Sequence, residues 1–90
     1  MLLFVGELDA IALRNAVNSL TEKYSGYCGI FAGDDANGYR FIVGSSSCNC
    51  QELATRMRQE FQAKGGGSAP MIQGNVGATA EALRKMWETL

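Results

Sequence analysis

The spacing of apolar side chains predicts alternating strands and helices along this chain. Leu2–Val5 is a continuous apolar run, which is typical of a strand covered on both faces. A helix is expected from about Asp9 to Tyr24, because its apolar positions recur at three- and four-residue steps, at Leu13, Val17, Leu20 and Tyr24. Asp9 is the expected N-cap, since its carboxylate can accept from the first free amides.

Two β-rich runs follow and predict an antiparallel hairpin. Tyr27–Gly33 and Tyr39–Ser45 are separated by a polar segment that ends in Asn37-Gly38. Asn-Gly is the strongest short-range turn signal, so the two runs should pair with each other. The serine cluster after Gly44 then breaks the second strand.

A second helix is expected from about Asn49 to Lys64, with Asn49 as its N-cap. Its apolar positions recur at four-residue steps, at Leu53, Met57 and Phe61. Three glycines follow the last basic residue of this helix, and Gly65 fits the position of a left-handed cap.

The remaining pattern predicts a short strand and a third helix. Pro70–Val76 is the strand, and Pro70 is confined to its start or to an edge because it lacks an amide donor. Gly77-Ala78-Thr79 opens a helix with apolar residues at Leu83, Met86, Trp87 and Leu90. The order β-α-β-β-α-β-α predicts an α/β sandwich with a small mixed sheet and three helices, in one domain over residues 1–90. The strand order stays open.

Composition removes several classes of function. The chain has 90 residues, 47% of them hydrophobic, and a formal net charge of −1. Histidine is absent, which removes the commonest general base and the commonest metal ligand. The three cysteines, Cys28, Cys48 and Cys50, contain no Cys-x-x-Cys pair and are interpreted as reduced thiols that serve as small apolar side chains. No apolar run approaches the ~18 residues that span a membrane. We therefore expect no catalytic residue, no metal and no membrane partner.

Charge is distributed unevenly along the chain. Residues 1–35 carry two basic and five acidic side chains, whereas residues 36–76 carry four basic and two acidic ones. This distribution predicts a weak basic face around the glycines, and it excludes the strong basic stripe of a protein that holds nucleic acid by bulk electrostatics.

Lys64-Gly65-Gly66-Gly67 is the segment with the most candidate chemistry. Successive glycine amides in alternating right- and left-handed conformations can form a nest for phosphate oxygens, with Lys64 as the neutralising charge. A helix dipole would not assist, because the segment follows a helix. The pattern is not Gly-x-x-x-x-Gly-Lys-Ser/Thr, which excludes a nucleotide hydrolase loop. A tight turn into the next strand is the alternative, and the residues leave both interpretations open.

The strand after the glycines presents two different faces. Met71, Gln73 and Asn75 share one face, and Ile72, Gly74 and Val76 share the other. If the second face packs inward, Gln73 presents an amide that can donate and accept beside the glycines. Gly74 leaves room for a backbone or a ligand to approach.

The run Lys64-Gly65-Gly66-Gly67-Ser68-Ala69-Pro70-Met71-Ile72-Gln73-Gly74 resembles the C-terminal domain of alanyl-tRNA synthetases. This is the DHH-associated domain, which AlaX-type alanyl-tRNA editing proteins and DHH phosphoesterases also carry. The likeness extends over essentially all 90 residues, including the hairpin that ends in Gly44-Ser45-Ser46. The phosphoesterase branch typically has a histidine after the third glycine. Ser68 occupies that position here, which favours the synthetase or editing branch.

The resemblance implies a non-catalytic, cytoplasmic tRNA-binding accessory domain without a cofactor. The chain would be the excised C-terminal part of a larger enzyme, either an alanyl-tRNA synthetase or an alanyl-tRNA editing hydrolase. Its partners would be alanine-specific tRNA and the other domains of that enzyme. The expected nucleic-acid-binding residues are Lys64, Gly65, Gly66, Gly67, Ser68, Gln73 and Gly74, with weaker steering from Arg40, Arg56 and Arg58.

Two alternatives remain open. The domain could be an oligomerisation or docking module that forms a homodimer, with Met86, Trp87 and Leu90 as part of the surface, although core packing is the more ordinary use of these side chains. It could also be the substrate-binding domain of a DHH-type phosphoesterase, which predicts binding of mononucleotides or dinucleotides.

Overall fold

The computed structural model describes residues 1–90 and confirms an α/β fold, with three helices on a five-stranded mixed sheet. The strands are β1 (Leu2–Val5), β2 (Cys28–Asp34), β3 (Gly38–Gly44), β4 (Lys64–Ser68) and β5 (Met71–Val76). The helices are α1 (Ala10–Lys23), α2 (Cys50–Phe61) and α3 (Ala80–Trp87). The strand order is β1-β2-β3-β5-β4, in which β1 is parallel to β2 and all other neighbours are antiparallel.

Polar N-caps fix where the helices begin. The Asp9 carboxylate accepts from the Ala12 amide at 2.8 Å, and the Asn49 side chain accepts from the Gln51 amide at 3.0 Å. Thr79 caps α3 in the same way. Each such cap stabilises its helix by about 1 kcal/mol, and the first two are at the predicted positions.

The predicted hairpin is confirmed. β2 and β3 pair from Cys28 opposite Gly44 to Asp34 opposite Gly38, and a three-residue turn joins them. Gly38 has a φ of 86°, a conformation that favours glycine, and the Asp34 carboxylate accepts from the Asn37 amide at 2.7 Å. The turn signal in the sequence therefore set the register of the central strands.

The glycine segment departs from the prediction. α2 ends at Phe61, because Gln62 adopts the left-handed conformation and caps the helix, so Gly65 is not the cap. Lys64–Ser68 is the edge strand β4, joined to β5 by a turn at Ala69-Pro70. The expected glycine loop is therefore wrong, and neither the phosphate nest nor the tight turn forms at the glycines, since the backbone of this segment pairs with β5.

The sheet carries an apolar cluster on each face. Under α2 and α3 the cluster contains Phe31, Tyr39, Phe41, Val43, Leu53, Met57, Ile72, Val76, Leu83 and Met86. On the opposite face α1 packs Leu13 and Val17 against Ile30, Ala32 and Ile42. Two helices therefore cover one face, while a single helix covers part of the other.

α1 lies over β2 and β3. A Cβ atom on Gly44 would stand 2.9 Å from Val17 Cγ1 and 3.1 Å from Thr21 Cγ2, so the helix contacts the bare main chain of β3 directly. Tyr24, predicted on the buried stripe, is instead exposed at the C-cap. The strands β5 and β4 extend beyond the edge of this helix.

α3 uses its large side chains for packing. Met86 is buried, and a Cβ atom on Gly29 would stand 2.8 Å from the Trp87 ring, whose centroid lies 6.3 Å from that of Phe31. Leu90 lies beyond the helix and is exposed. Core packing is therefore the use that the structure gives to Met86 and Trp87. None of the three helices is long and apolar enough to cross a bilayer.

Candidate nucleic-acid interface

The pairing of β3, β5 and β4 builds a polar surface where α1 leaves the sheet uncovered. Residues directly opposite each other in antiparallel strands share a face. One row across the sheet contains Ala32, Arg40, Asn75 and Lys64, and the next row contains Ile30, Ile42, Gln73 and Gly66. The first row becomes polar at Arg40 on β3, and the second changes from apolar on β2 and β3 to polar or bare on β5 and β4. We call the surface formed by Arg14, Arg40, Lys64, Gly66, Gln73 and Asn75 the open face.

The open face is concave. A depression of about 370 Å³ lies beside the first turn of α1, and its lining includes Arg40, Gly65, Gly66, Gln73, Gly74 and Asn75. A neighbouring hollow of about 350 Å³ joins Arg40 and Asn75 to Lys64 and to Gly77. The predicted residues Arg40, Lys64 and Gln73 come from three strands and are brought together at one surface, whereas Gly74 belongs to the opposite face of β5 and lines the depression with its main chain.

Arg40 and Lys64 form no ion pair. The two salt bridges of the chain are Arg56–Glu60 at 2.8 Å and Lys85–Glu81 at 3.5 Å, and both lie within helices. Arg40 and Lys64 lie two strands apart in one row, so their backbones are separated by roughly 10 Å. Arg14 is likewise in neither salt bridge, so the open face carries three cations that no carboxylate neutralises directly.

Acidic groups border one side of the open face. Glu7 and Asp9, in the connection between β1 and α1, line a hollow that also contains Arg40 and Asn75. Lys64 lies two strands away from Arg40, on the far side of Asn75. The positive potential should therefore be strongest along β4 and weaker toward the start of α1.

Gln73 is engaged by a residue that sequence reasoning did not select. The Gln73 Oε1 atom accepts from Arg14 Nη2 at 3.0 Å, which ties the flank of α1 to β5. Arg14 directly follows the buried Leu13, so its side chain leaves the helix beside the apolar stripe. This position beside the stripe is the only feature of the sequence that could have indicated the contact, because Arg14 and Gln73 are 59 positions apart.

The structure does not bring Arg56 and Arg58 to the open face. Both lie on α2, which packs against the opposite face of the sheet. Arg56 is paired with Glu60, while Arg58 is exposed on the helix surface. The expectation that these two arginines steer the same ligand as Lys64 is therefore not supported by their position, and only Arg40 of the three lies on the open face.

The three glycines of β4 have different roles in the fold. Gly65 has a φ of 125°, and a Cβ atom there would overlap the Gln73 carbonyl oxygen. A Cβ atom on Gly67 would overlap the Met71 carbonyl oxygen. Gly66 has no such requirement, since its φ is negative and an added Cβ atom would meet nothing within 4 Å. Two of the glycines are thus explained by strand pairing and one is not.

Ser68 ends β4 and lies opposite Met71 in the third row of the open side of the sheet. Its side chain is exposed and lines a hollow with Arg14 and Gly66. The hydroxyl can donate and accept, so Ser68 can contribute to binding from the end of the strand.

The cysteines lie away from the open face. Cys28 and Cys50 are buried, and burial raises the pKa of the Cys50 thiol to about 11. All three cysteines are free, and Cys48 is partly exposed with its sulfur 3.8 Å from the Ser47 hydroxyl. The burial of Cys28 and Cys50 fits the predicted use as small apolar side chains, which the position of Cys48 does not, and no cluster of three or more potential metal-ligating side chains is present.

Comparison with solved structures finds the same fold in the C-Ala domain of alanyl-tRNA synthetase from Aquifex aeolicus. The two chains share 24% sequence identity with a TM-score of 0.74, and the match covers 99% of this chain and 89% of the other. No protein-family model matches the sequence, and no curated protein matches it. The likeness supports the fold over 99% of the chain.

Proposed function

We propose that this chain is a non-catalytic RNA-binding accessory domain of an alanyl-tRNA synthetase or alanyl-tRNA editing protein, and that it binds tRNA. The observation that carries the proposal is the position of its unpaired cations. Arg14 on the flank of α1, Arg40 on β3 and Lys64 on β4 surround the part of the sheet face that α1 leaves uncovered. The fold shared with a C-Ala domain of an alanyl-tRNA synthetase supports tRNA as the partner.

The chemistry of the open face suits the sugar-phosphate backbone of RNA. Lys64 and Arg40 neutralise phosphates, and the Asn75 amide between them can donate to a phosphate or to a ribose hydroxyl. No aromatic side chain belongs to the open face, so recognition goes by backbone and shape rather than by base stacking. Because few cations take part, the affinity should be modest and should fall steeply with salt.

A titration with tRNA at several salt concentrations tests the proposal. Lys64→Ala and Arg40→Ala should each weaken binding, and each should lower the slope of log affinity against log salt by about 0.7–0.9. Arg58→Ala is the matched control, because it removes an exposed cation on the opposite side of the sheet. The proposal would be refuted if the unmodified chain did not bind tRNA, or if Arg58→Ala lowered the affinity as much as Lys64→Ala and Arg40→Ala do. A tight dimer that ignores RNA would instead support the oligomerisation module.

A further inference from the structure

We propose that the open face contains a second phosphate-binding position, formed by Arg14, Gly66 and Ser68, in which Gln73 positions Arg14. The ligand is a phosphodiester group of the RNA backbone. This inference rests on the proposed function and deepens it, because it adds a contact distinct from the row of Arg40, Asn75 and Lys64. Arg14 becomes a binding residue, and Gln73 changes from a direct contact to a residue that acts through Arg14.

A separate hollow marks this position. It has a volume of about 340 Å³ and is lined by Arg14, Gly66, Gly67, Ser68, Met71 and Gln73. Gly66 and Ser68 lie two and four residues beyond Lys64 in β4, which places them roughly 7 and 14 Å along the strand. A nucleic-acid strand that follows β4 would therefore meet Lys64 first and this hollow next.

The contact between Arg14 and Gln73 prepares the guanidinium group without neutralising it. Arginine has five N–H donors, and the bond to the Gln73 Oε1 atom at 3.0 Å uses one nitrogen. An amide carries no net charge, so the full positive charge of Arg14 remains for an anion. Because one rotamer is already favoured, less side-chain entropy is lost when a phosphate binds.

Gly66 supplies access. Glycine inside a strand destabilises it by roughly 0.5–1 kcal/mol relative to alanine, and neither backbone conformation nor packing requires glycine at this position. Gly66 lines both this hollow and the depression beside Arg40. Folding does not require glycine at this position, but close approach of a ligand to the main chain would.

Salt-dependent tRNA binding by the full chain tests the assignment. Arg14→Gln should lower the salt slope by about 0.7–0.9, and Arg58→Gln should leave it unchanged. Gly66→Ala should weaken binding several-fold while the melting temperature stays the same or rises. Gln73→Leu should weaken binding alone but add nothing in the Arg14→Gln background, because Gln73 acts through Arg14. Additive losses would show that Gln73 contacts RNA itself and would overturn its positioning role.

The outcomes separate this inference from the proposed function. If the unmodified chain does not bind tRNA, the proposed function and the second phosphate-binding position are both refuted. If it binds and Lys64→Ala weakens it, but Arg14→Gln keeps the same affinity and salt slope, the second position is refuted and the proposed function stands. Inorganic phosphate at matched ionic strength should not displace the RNA. Displacement at millimolar phosphate that depends on Arg14 would assign the hollow to a free phosphate anion and overturn the RNA assignment.

Discussion

Alanine at Gly65 and alanine at Gly66 should change the stability of this domain in opposite directions. The two glycines are neighbours in β4 and have the same chemistry, so composition and helix or strand propensity treat them alike. Gly65 has a φ of 125° and faces the main chain of β5, whereas Gly66 has a negative φ and faces open space. The difference in stability between the two variants therefore reports the backbone geometry of the strand.

The magnitudes follow from that geometry. A non-glycine residue in the conformation of Gly65 costs about 1–3 kcal/mol, and the added Cβ atom would also stand 2.5 Å from Gly74 Cα, so the strands must separate. Gly66→Ala removes conformational freedom from the unfolded chain and should stabilise by about 0.4–1 kcal/mol. For a domain of 60–100 residues, 1 kcal/mol corresponds to about 4–8 °C in melting temperature. Gly65→Ala should thus melt at least several degrees lower, and Gly66→Ala a few degrees higher.

Thermal melting followed by circular dichroism, with urea denaturation to obtain the free energy of unfolding, measures both variants. An equal loss in the two variants would mean that β4 and β5 do not pair in this register. No loss in either would mean that the segment is an unpaired loop, as the sequence pattern predicts. Either result would refute the open face as defined here, because Gly66, Gln73 and Lys64 share a face only if β4 and β5 pair in this register.

Two further predictions concern helix ends. Gln62→Gly should raise the free energy of unfolding by about 1 kcal/mol in urea denaturation, because Gln62 holds the left-handed C-cap with a φ of 57°, where glycine has no steric penalty. Asp35 accepts from the Tyr39 hydroxyl and from the first amide of α3, and these bonds hold its carboxyl pKa below the usual value. The ionised form therefore stabilises the native state above about pH 4 and loses this effect as the pH falls through the native pKa. As the pH decreases, the melting temperature should fall more steeply for the unmodified chain than for Asp35→Asn. An equal fall in the two proteins would contradict this role of Asp35.

Apolar spacing was sufficient wherever side chains mark the pattern. It located β1, the hairpin and all three helices, because each presents a stripe or run of side chains to a core. It could not locate β4, since Gly65–Gly67 have no side chains from which alternation could be read. The missing strand also explains why α2 was predicted three residues too long.

The sequence predicted part of the site, from the glycine segment and from Arg40, which belongs to the basic excess over residues 36–76. Lys64, Gly66 and Gln73 came from one segment, and their placement on the open face agrees with the alternation of a strand. Arg14 was missed, because its contact with Gln73 depends on where α1 crosses the sheet. Arg58 was included because it is close to the glycines in sequence, but α2 carries it to the other side of the sheet.

The width of the sheet gives a reason for the open face. Adjacent strands are about 4.7–4.9 Å apart, so five strands span roughly 19 Å, while a helix with its side chains is about 10–12 Å across. α2 and α3 together suffice for one face, but on the other α1 reaches β5 only at Met71 and Gln73 and leaves β4 uncovered. In our proposal the glycine segment therefore contributes to binding by adding β4, which widens the sheet beyond α1 and brings Lys64 into line with Arg40. The phosphate contacts are then made by side chains and bare main chain across three strands, which a nest at a helix end could not provide.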